Sequence, residues 1–226
     1  NGYGISLRRL LLFAQETYPH MELSDAVYYS ITVILLKLEG QIIKRHPEYN
    51  MDDRLLLHKI NKEKNIVLIG LTGCGKTTVG KMLAQKMNYD FIDMDDFIVE
   101  STGKTVPELF AISEEYFRNC ETEACKILSN RRKTVIASGG GVVKKKENMR
   151  AFYHNSIIVF LDRPVDNIVG DIEIKNRPLL VNGPNILYRL HDERYDLYKN
   201  QCHYRVENDK TLDELVNTII TIINNE

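Results

Sequence analysis

Gly70-Leu71-Thr72-Gly73-Cys74-Gly75-Lys76-Thr77 satisfies the pattern G-x-x-x-x-G-K-[ST] and stands between a compact apolar run at residues 66–69 and a stretch of helical periodicity at residues 79–87. A strand that feeds a glycine-rich turn and then a helix brings successive backbone N–H groups onto phosphate oxygens, at the positive end of the helix. Glycine permits the sharp turn and the close approach of the backbone. In this pattern the lysine reaches the β- and γ-phosphates of a nucleoside triphosphate and the following hydroxyl ligates Mg²⁺. A nucleoside triphosphate and Mg²⁺ are therefore expected here, with Gly73, Cys74, Gly75, Lys76, Thr77 and Thr78 as the cradle. Cys74 reads as a small loop filler rather than a nucleophile. The bland alternative, a chance glycine-rich turn, is disfavoured by the strand and helix on either side.

Working outward, short apolar runs at residues 91–94, 135–137 and 157–161 alternate with helical patterns. That rhythm predicts a parallel α/β sheet, whose ligands bind at the carboxyl ends of its strands. Upstream, the polar run Asn61-Lys62-Glu63-Lys64-Asn65 marks a seam. Residues 1–62 are read as a helical segment, with helices over 7–14 and 25–43 broken by Pro19 and Pro47, and residues 63–226 as the α/β domain. The chain begins at Asn1 rather than methionine, so a longer reading frame is expected.

The bulk properties narrow the function classes. Thirty Lys and Arg against 31 Asp and Glu leave a formal charge of −1 over 226 residues, so no global field favours nucleic acid or an acidic membrane. Any anion must be gripped locally. Cys74, Cys120, Cys125 and Cys202 form neither a CxxC pair nor a zinc-ligand spacing, which points to a reducing cytosol. No apolar stretch has the length of a membrane span. The six histidines show no metal spacing.

A phosphate cradle alone leaves switches, motors and kinases open, so the acceptor must be read elsewhere. In Phe91-Ile92-Asp93-Met94-Asp95 the carboxylates are two apart; taken as extended chain they share one side of a strand end, one able to assist a metal and the other an acceptor. Phe117-Arg118 lies on a predicted helix with Glu121 three residues on, a spacing that lets the carboxylate orient the guanidinium. Ser138-Gly139-Gly140-Gly141 follows an apolar strand and leaves room for a ligand against backbone N–H groups. Arg177-Pro178-Leu179-Leu180 and Arg194-Tyr195-Asp196-Leu197-Tyr198 complete the set. Each piece has a duller reading: a solvated strand end for the aspartates, a surface ion pair for each arginine, an exposed helix start for Lys144-Lys145-Lys146.

In this order, over residues 65–223, these motifs resemble the shikimate kinase family. The resemblance implies a five-stranded parallel sheet flanked by helices, like the nucleoside monophosphate kinases, with an acceptor-binding region near 93–123 and a lid near 170–183. It implies transfer of the γ-phosphoryl of ATP to the 3-hydroxyl of shikimate. It further implies that Asp95 holds the hydroxyl and takes its proton, that Arg118, Arg194 and the turn Gly139, Gly140 and Gly141 hold shikimate, that Asp93 acts on Mg²⁺ through water, and that Arg177 closes over ATP. Gluconate or nucleotide kinases of the same fold, and a non-catalytic nucleotide-sensing module, stay open as alternatives. Departures from the family pattern are Ser113 where a glycine is usual, Val99 where a glutamate is usual, Asp171 and Glu173 in the lid, and Lys210-Thr211 near an expected late arginine.

Asn1-Gly2-Tyr3-Gly4-Ile5-Ser6-Leu7-Arg8, Lys37-Leu38-Glu39-Gly40-Gln41-Ile42-Ile43-Lys44-Arg45 and Asp53-Arg54-Leu55-Leu56-Leu57 resemble an internal stretch of the class III fructose-1,6-bisphosphatases. The Asp/His/Asn metal clusters of that family are not in this chain, so no phosphatase activity is expected. Amphipathic helices of this kind expose an apolar face, which would pack on the kinase region or on a second copy.

Overall fold

The computed structural model describes residues 64–153, 155–175 and 185–224, together with Leu11, Gln15 and Glu16, which are helical. The helices expected at 7–14 and 25–43 otherwise lie outside the described residues, as does the lid from 176 to 183, Arg177 included. The chain divides into two compact units, Asn1–Ile60 and Asn61–Glu226.

The second unit runs β1 (Asn65–Ile69), α1 (Lys76–Met87), β2 (Asp90–Asp93), α2 (Met94–Thr102), α3 (Val106–Ile112), α4 (Glu114–Leu128), β3 (Thr134–Ala137), a 3₁₀ turn (Val142–Lys144), α5 (Lys146–Tyr153), β4 (Ser156–Asp162), α6 (Val165–Lys175), α7 (Asn185–Gln201), β5 (Tyr204–Glu207) and α8 (Leu212–Asn224). The five strands form one sheet in the order β2-β3-β1-β4-β5, with every pairing parallel. The chain leaves β1, skips the place later taken by β3, and enters β2. The crevice where the connections diverge opens at the carboxyl ends of β1 and β3.

Side chains alternate across each strand, so the apolar runs feed two cores. Ile66, Leu68, Val135, Ile157, Val159 and Leu161 face one layer, packed by Val79 and Leu83 of α1 and by Leu215, Val216 and Ile219 of α8. Val67, Ile69, Ile136, Ile158 and Phe160 face the other, packed by Ile98, Phe117, Leu128, Phe152 and Tyr198. The central strand β1 is buried along its whole length, which is why it reads as an unbroken apolar run. In the edge strand β5, Val206 alone is buried, so Tyr204-Arg205-Val206-Glu207 carries no apolar run to read. Among the described residues no helix is long and apolar enough to cross a membrane.

Asn65 opens β1 with its side chain fully buried; its Oδ1 accepts from Thr134 N at 3.2 Å and its Nδ2 donates to Arg131 O at 2.6 Å, pinning the start of β3. Asn65→Ala leaves the Thr134 N–H without its acceptor, while Arg131 O keeps the Asn155 Nδ2 donor at 2.9 Å, and is expected to destabilise the domain by about 1–3 kcal/mol. Urea unfolding would register this as a lower midpoint with an unchanged slope.

The corner between α3 and α4 accounts for one departure from the family pattern. Ser113 has φ −173° and ψ 156°, extended backbone that any residue adopts, and its hydroxyl accepts from Tyr116 N at 3.0 Å to cap α4. Serine therefore replaces glycine there without strain and gains a cap. Thr105 and Glu108 form a reciprocal capping box that starts α3.

Candidate active site

The loop after β1 needs glycine at its two ends. At Gly70, φ is 145° and an added Cβ would sit 2.7 Å from Leu161 O; Gly75 is left-handed at φ 96° and starts α1. Lys76 is 8% exposed, and its ammonium donates to Gly70 O at 2.9 Å and Leu71 O at 3.0 Å, so it lies over the loop it follows. Cys74 is fully buried in the core, as befits a loop filler. Asn208, just after β5, donates from Nδ2 to Cys74 O at 2.7 Å and ties the far side of the loop down. Thr77 and Thr78 are exposed at the start of α1, and Thr77 Oγ1 donates to Asp93 Oδ2 at 2.7 Å.

The aspartate pair departs from the reading of an extended segment. Strand β2 ends at Asp93, which is the N-cap of α2: its Oδ1 accepts from Asp95 N at 3.0 Å. Asp95 and Asp96 occupy the first turn of the helix. Two forces override strand alternation here, the cap and the attraction of carboxylates to the positive helix end. Asp93 is thereby turned to Thr77 and Asp95 to the glycine turn. Burial, then the Asp93 charge, pushes the Asp95 carboxyl above its ordinary range, while Lys76 and Arg118 pull it back.

Arg118 lies on the buried face of α4, 8% exposed. Its Nη1 donates to Glu121 Oε2 at 2.9 Å, the partner that the spacing predicts. Its Nε approaches Glu114 Oε1 at 3.4 Å, and its guanidinium carbon lies 5.2 Å from the Phe117 ring centroid and 5.7 Å from that of Phe110. Lys144 bonds Glu114 Oε1 at 2.6 Å and Lys145 bonds Asn119 Oδ1 at 2.8 Å, so both lysines are engaged by α4.

The Gly139–Gly141 turn is where these parts meet. An added Cβ on Gly139 would stand 3.0 Å from both Asp95 Oδ1 and Glu121 Oε1; on Gly140 it would meet Thr72 Oγ1 at 2.5 Å; on Gly141 it would run into the Arg118 guanidinium. A side chain at any of these three positions would thus collide with the protein's own polar groups. Gly140 O also accepts from Arg194 Nη1 at 3.0 Å and from the Tyr198 hydroxyl. One turn thereby touches the phosphate loop, Asp95, Arg118 and Arg194. Gly140→Ala is expected to push Thr72 and the loop apart at a cost of about 1–3 kcal/mol. Its distinguishing sign would be weaker binding of ATP and of the acceptor together, measured by titration calorimetry.

Gly170 and Asp171, at the expected start of the lid, lie on α6, and Asp171 pairs with Arg163 at 2.9 Å. One acidic lid residue is therefore already engaged in an ion pair. Thr72 and Tyr198, which stand inside quoted motifs, and Asn208, which does not, are contributors to which the sequence assigns no role. Of these, Tyr198 alone had a signal: it stands four residues after Arg194, on the same helical face. Among the described residues no cluster of three or more His, Cys, Asp or Glu side chains forms a metal cage.

A family model described as shikimate kinase matches residues 72–224, a span that takes in the loop from Thr72 onward, both aspartates, Arg118, the glycine turn and Arg194. The chain belongs to the shikimate kinase family. The shikimate kinase of Clostridium botulinum strain Alaska E43 is 46% identical over 163 residues, covering 72% of this chain and 99% of the relative. That of Clostridium beijerinckii is 42% identical over 161 residues, covering 71% and 95%. Among solved structures, the shikimate kinase of Acinetobacter baumannii in complex with shikimate is 34% identical, with a TM-score of 0.68, covering 74% of this chain and 97% of that one. The kinase fold inferred from the sequence, a five-stranded parallel sheet with flanking helices, agrees with these relatives. A second model, Firmicute fructose-1,6-bisphosphatase, matches residues 1–96 and supports the resemblance read in the amino-terminal segment; the two matches overlap from 72 to 96, inside the kinase fold.

Proposed function

We propose that the kinase region transfers the γ-phosphoryl group of ATP to the 3-hydroxyl of shikimate, with the residues around the Gly139–Gly141 turn as its acceptor site. The carrying observation is that Asp95, Arg118, Arg194 and Thr72 of the phosphate loop all meet that turn. Arg118 and Arg194 present guanidinium forks suited to a carboxylate, and Asp95 supplies a base for a hydroxyl. Gly139, Gly140 and Gly141 bring the acceptor against backbone. Lys76 moves from its loop carbonyls onto the β- and γ-phosphates, and the loop amides from Gly73 to Thr78 hold the phosphate chain. Arg177 closes from the lid.

The hydroxyl of Thr77 and the carboxylate of Asp93, bonded to each other at 2.7 Å beside the loop, are the hard oxygen donors that Mg²⁺ prefers. When bound, Mg²⁺ would neutralise charge on the phosphates, with Thr77 as a direct ligand and Asp93 acting through water. Phosphoryl transfer is mostly positioning and electrostatic stabilisation, which is what this arrangement offers.

An ADP-release assay over shikimate, quinate, gluconate and nucleoside monophosphates tests the reading. Shikimate is expected to be the preferred acceptor. Faster turnover of gluconate or a nucleotide would reassign the acceptor site, and thermal stabilisation by ATP with no turnover of any acceptor would favour a nucleotide sensor.

A further inference from the structure

Glu121 is a buried acid that the reaction as written does not use. It is 1% exposed, against 8% for Arg118 and for Arg194. Its Oε2 accepts from Arg118, yet Oε1 is buried without a hydrogen-bond partner. An unpaired carboxylate oxygen in that position is costly, and its carboxyl group is held ionised by few neighbours. Arg118 on α4 and Arg194 on α7 favour the charged form, Asp95 on α2 opposes it, and Cys125 and the Tyr198 hydroxyl also face it among the described residues. Burial is the largest influence and pushes the Glu121 carboxyl up. Oε1 and Asp95 Oδ1 flank one point beside Gly139, each 3.0 Å from the place an added Cβ would take.

The acceptor site proposed above brings a carboxylate onto the same two guanidiniums that keep Glu121 ionised. A new negative charge then enters the cluster while Arg118 and Arg194 are shared with the ligand. We propose that Glu121 takes up one proton from solvent as the acceptor's carboxylate docks on Arg118 and Arg194, so that acceptor and proton bind together. The step is an acid–base equilibrium: the carboxylate and a solvent proton become a carboxylic acid, no electrons are exchanged, and the proton returns to solvent when the product leaves. Protonation removes the charge from the buried orphan oxygen, which borders the same point beside Gly139 as Asp95 Oδ1. Glu121 in this role is a positioning residue, because it acts through Arg118 and Asp95 and not on the acceptor itself.

The inference rests on the shikimate-binding reading. Titration calorimetry of the full chain with shikimate, in buffers of different ionisation enthalpy at one pH, reads proton uptake directly. Wild type is expected to take up an appreciable part of a proton near neutral pH, and less as the pH is lowered and Glu121 enters already protonated. Glu121→Gln, which keeps an acceptor for Arg118, is expected to bind shikimate with uptake near zero. Binding without uptake in wild type, or equal uptake in Glu121→Gln, overturns the proposal alone; no binding of shikimate overturns the functional reading and the proposal with it. Wild type also carries an independent test, should the variant not fold. Its infrared difference spectrum on adding shikimate is expected to gain a protonated-carboxyl C=O band, and a spectrum without that band refutes proton uptake by the acid.

Discussion

Arg118→Ala is expected to lower kcat/KM for shikimate by about two to three orders of magnitude and to destabilise the domain by about 3–5 kcal/mol. The two effects have different origins. The kinetic loss comes from removing one guanidinium fork from the acceptor's carboxylate. The stability loss comes from Glu121, which is 1% exposed and would lose the guanidinium that hydrogen-bonds and balances its buried carboxyl group. Adding Glu121→Gln to Arg118→Ala should therefore restore much of the stability and none of the turnover, a separation that urea unfolding and steady-state kinetics on wild type, the two single variants and the double variant would show. Arg118→Lys keeps the charge but loses the planar fork and its fit over Phe117 and Phe110. Its KM for shikimate is expected to rise with less loss of stability. Equal stability losses in Arg118→Ala with and without the Glu121 change would disprove the account.

The parts of the site legible in the sequence are those in which a backbone demand restricts the residue type. Gly70, Gly73 and Gly75 all have φ in the left-handed half of the map, so the phosphate loop can be recognised from its glycines. The strands β1, β3 and β4 are buried on both faces and stand out as apolar runs, whereas β5 at the edge buries one residue in four and came only through the family resemblance. Asp93 was ambiguous because aspartate suits both a strand end and an N-cap. What decides between them is the acidic first turn, Asp95-Asp96, ahead of the buried Ile98. The glycine turn was legible as a place lacking side chains but not as the place that Thr72 and Arg118 border, since both contacts join segments far apart in the chain. Asn208 left no trace for the same reason: one amide in a polar loop makes one tertiary hydrogen bond, with neither period nor motif around it.

Asp95→Asn is expected to reduce kcat for shikimate by about 10²- to 10⁴-fold, the usual contribution of a positioned general base, while leaving shikimate binding within a few-fold of wild type. The substitution keeps the shape of the side chain and its place in the first turn of α2, so a large loss of folding would not explain the defect. Stability should in fact move the other way. Burial, followed by the Asp93 charge, raises the Asp95 carboxyl above the value it has in the unfolded chain. The folded state then holds the proton more tightly than the unfolded state. The stability that this group contributes is fully present below the unfolded value and is lost as the pH rises through the folded one. At neutral pH the ionised carboxylate is a burden that asparagine lacks, and Asp95→Asn should be at least as stable as wild type, the gap closing on acidification. Urea unfolding of both proteins at several pH values measures the gap, and quench-flow with saturating shikimate measures the chemical step. A variant that transfers phosphate at the wild-type rate would remove Asp95 from the role of base and leave it a bystander at the glycine turn.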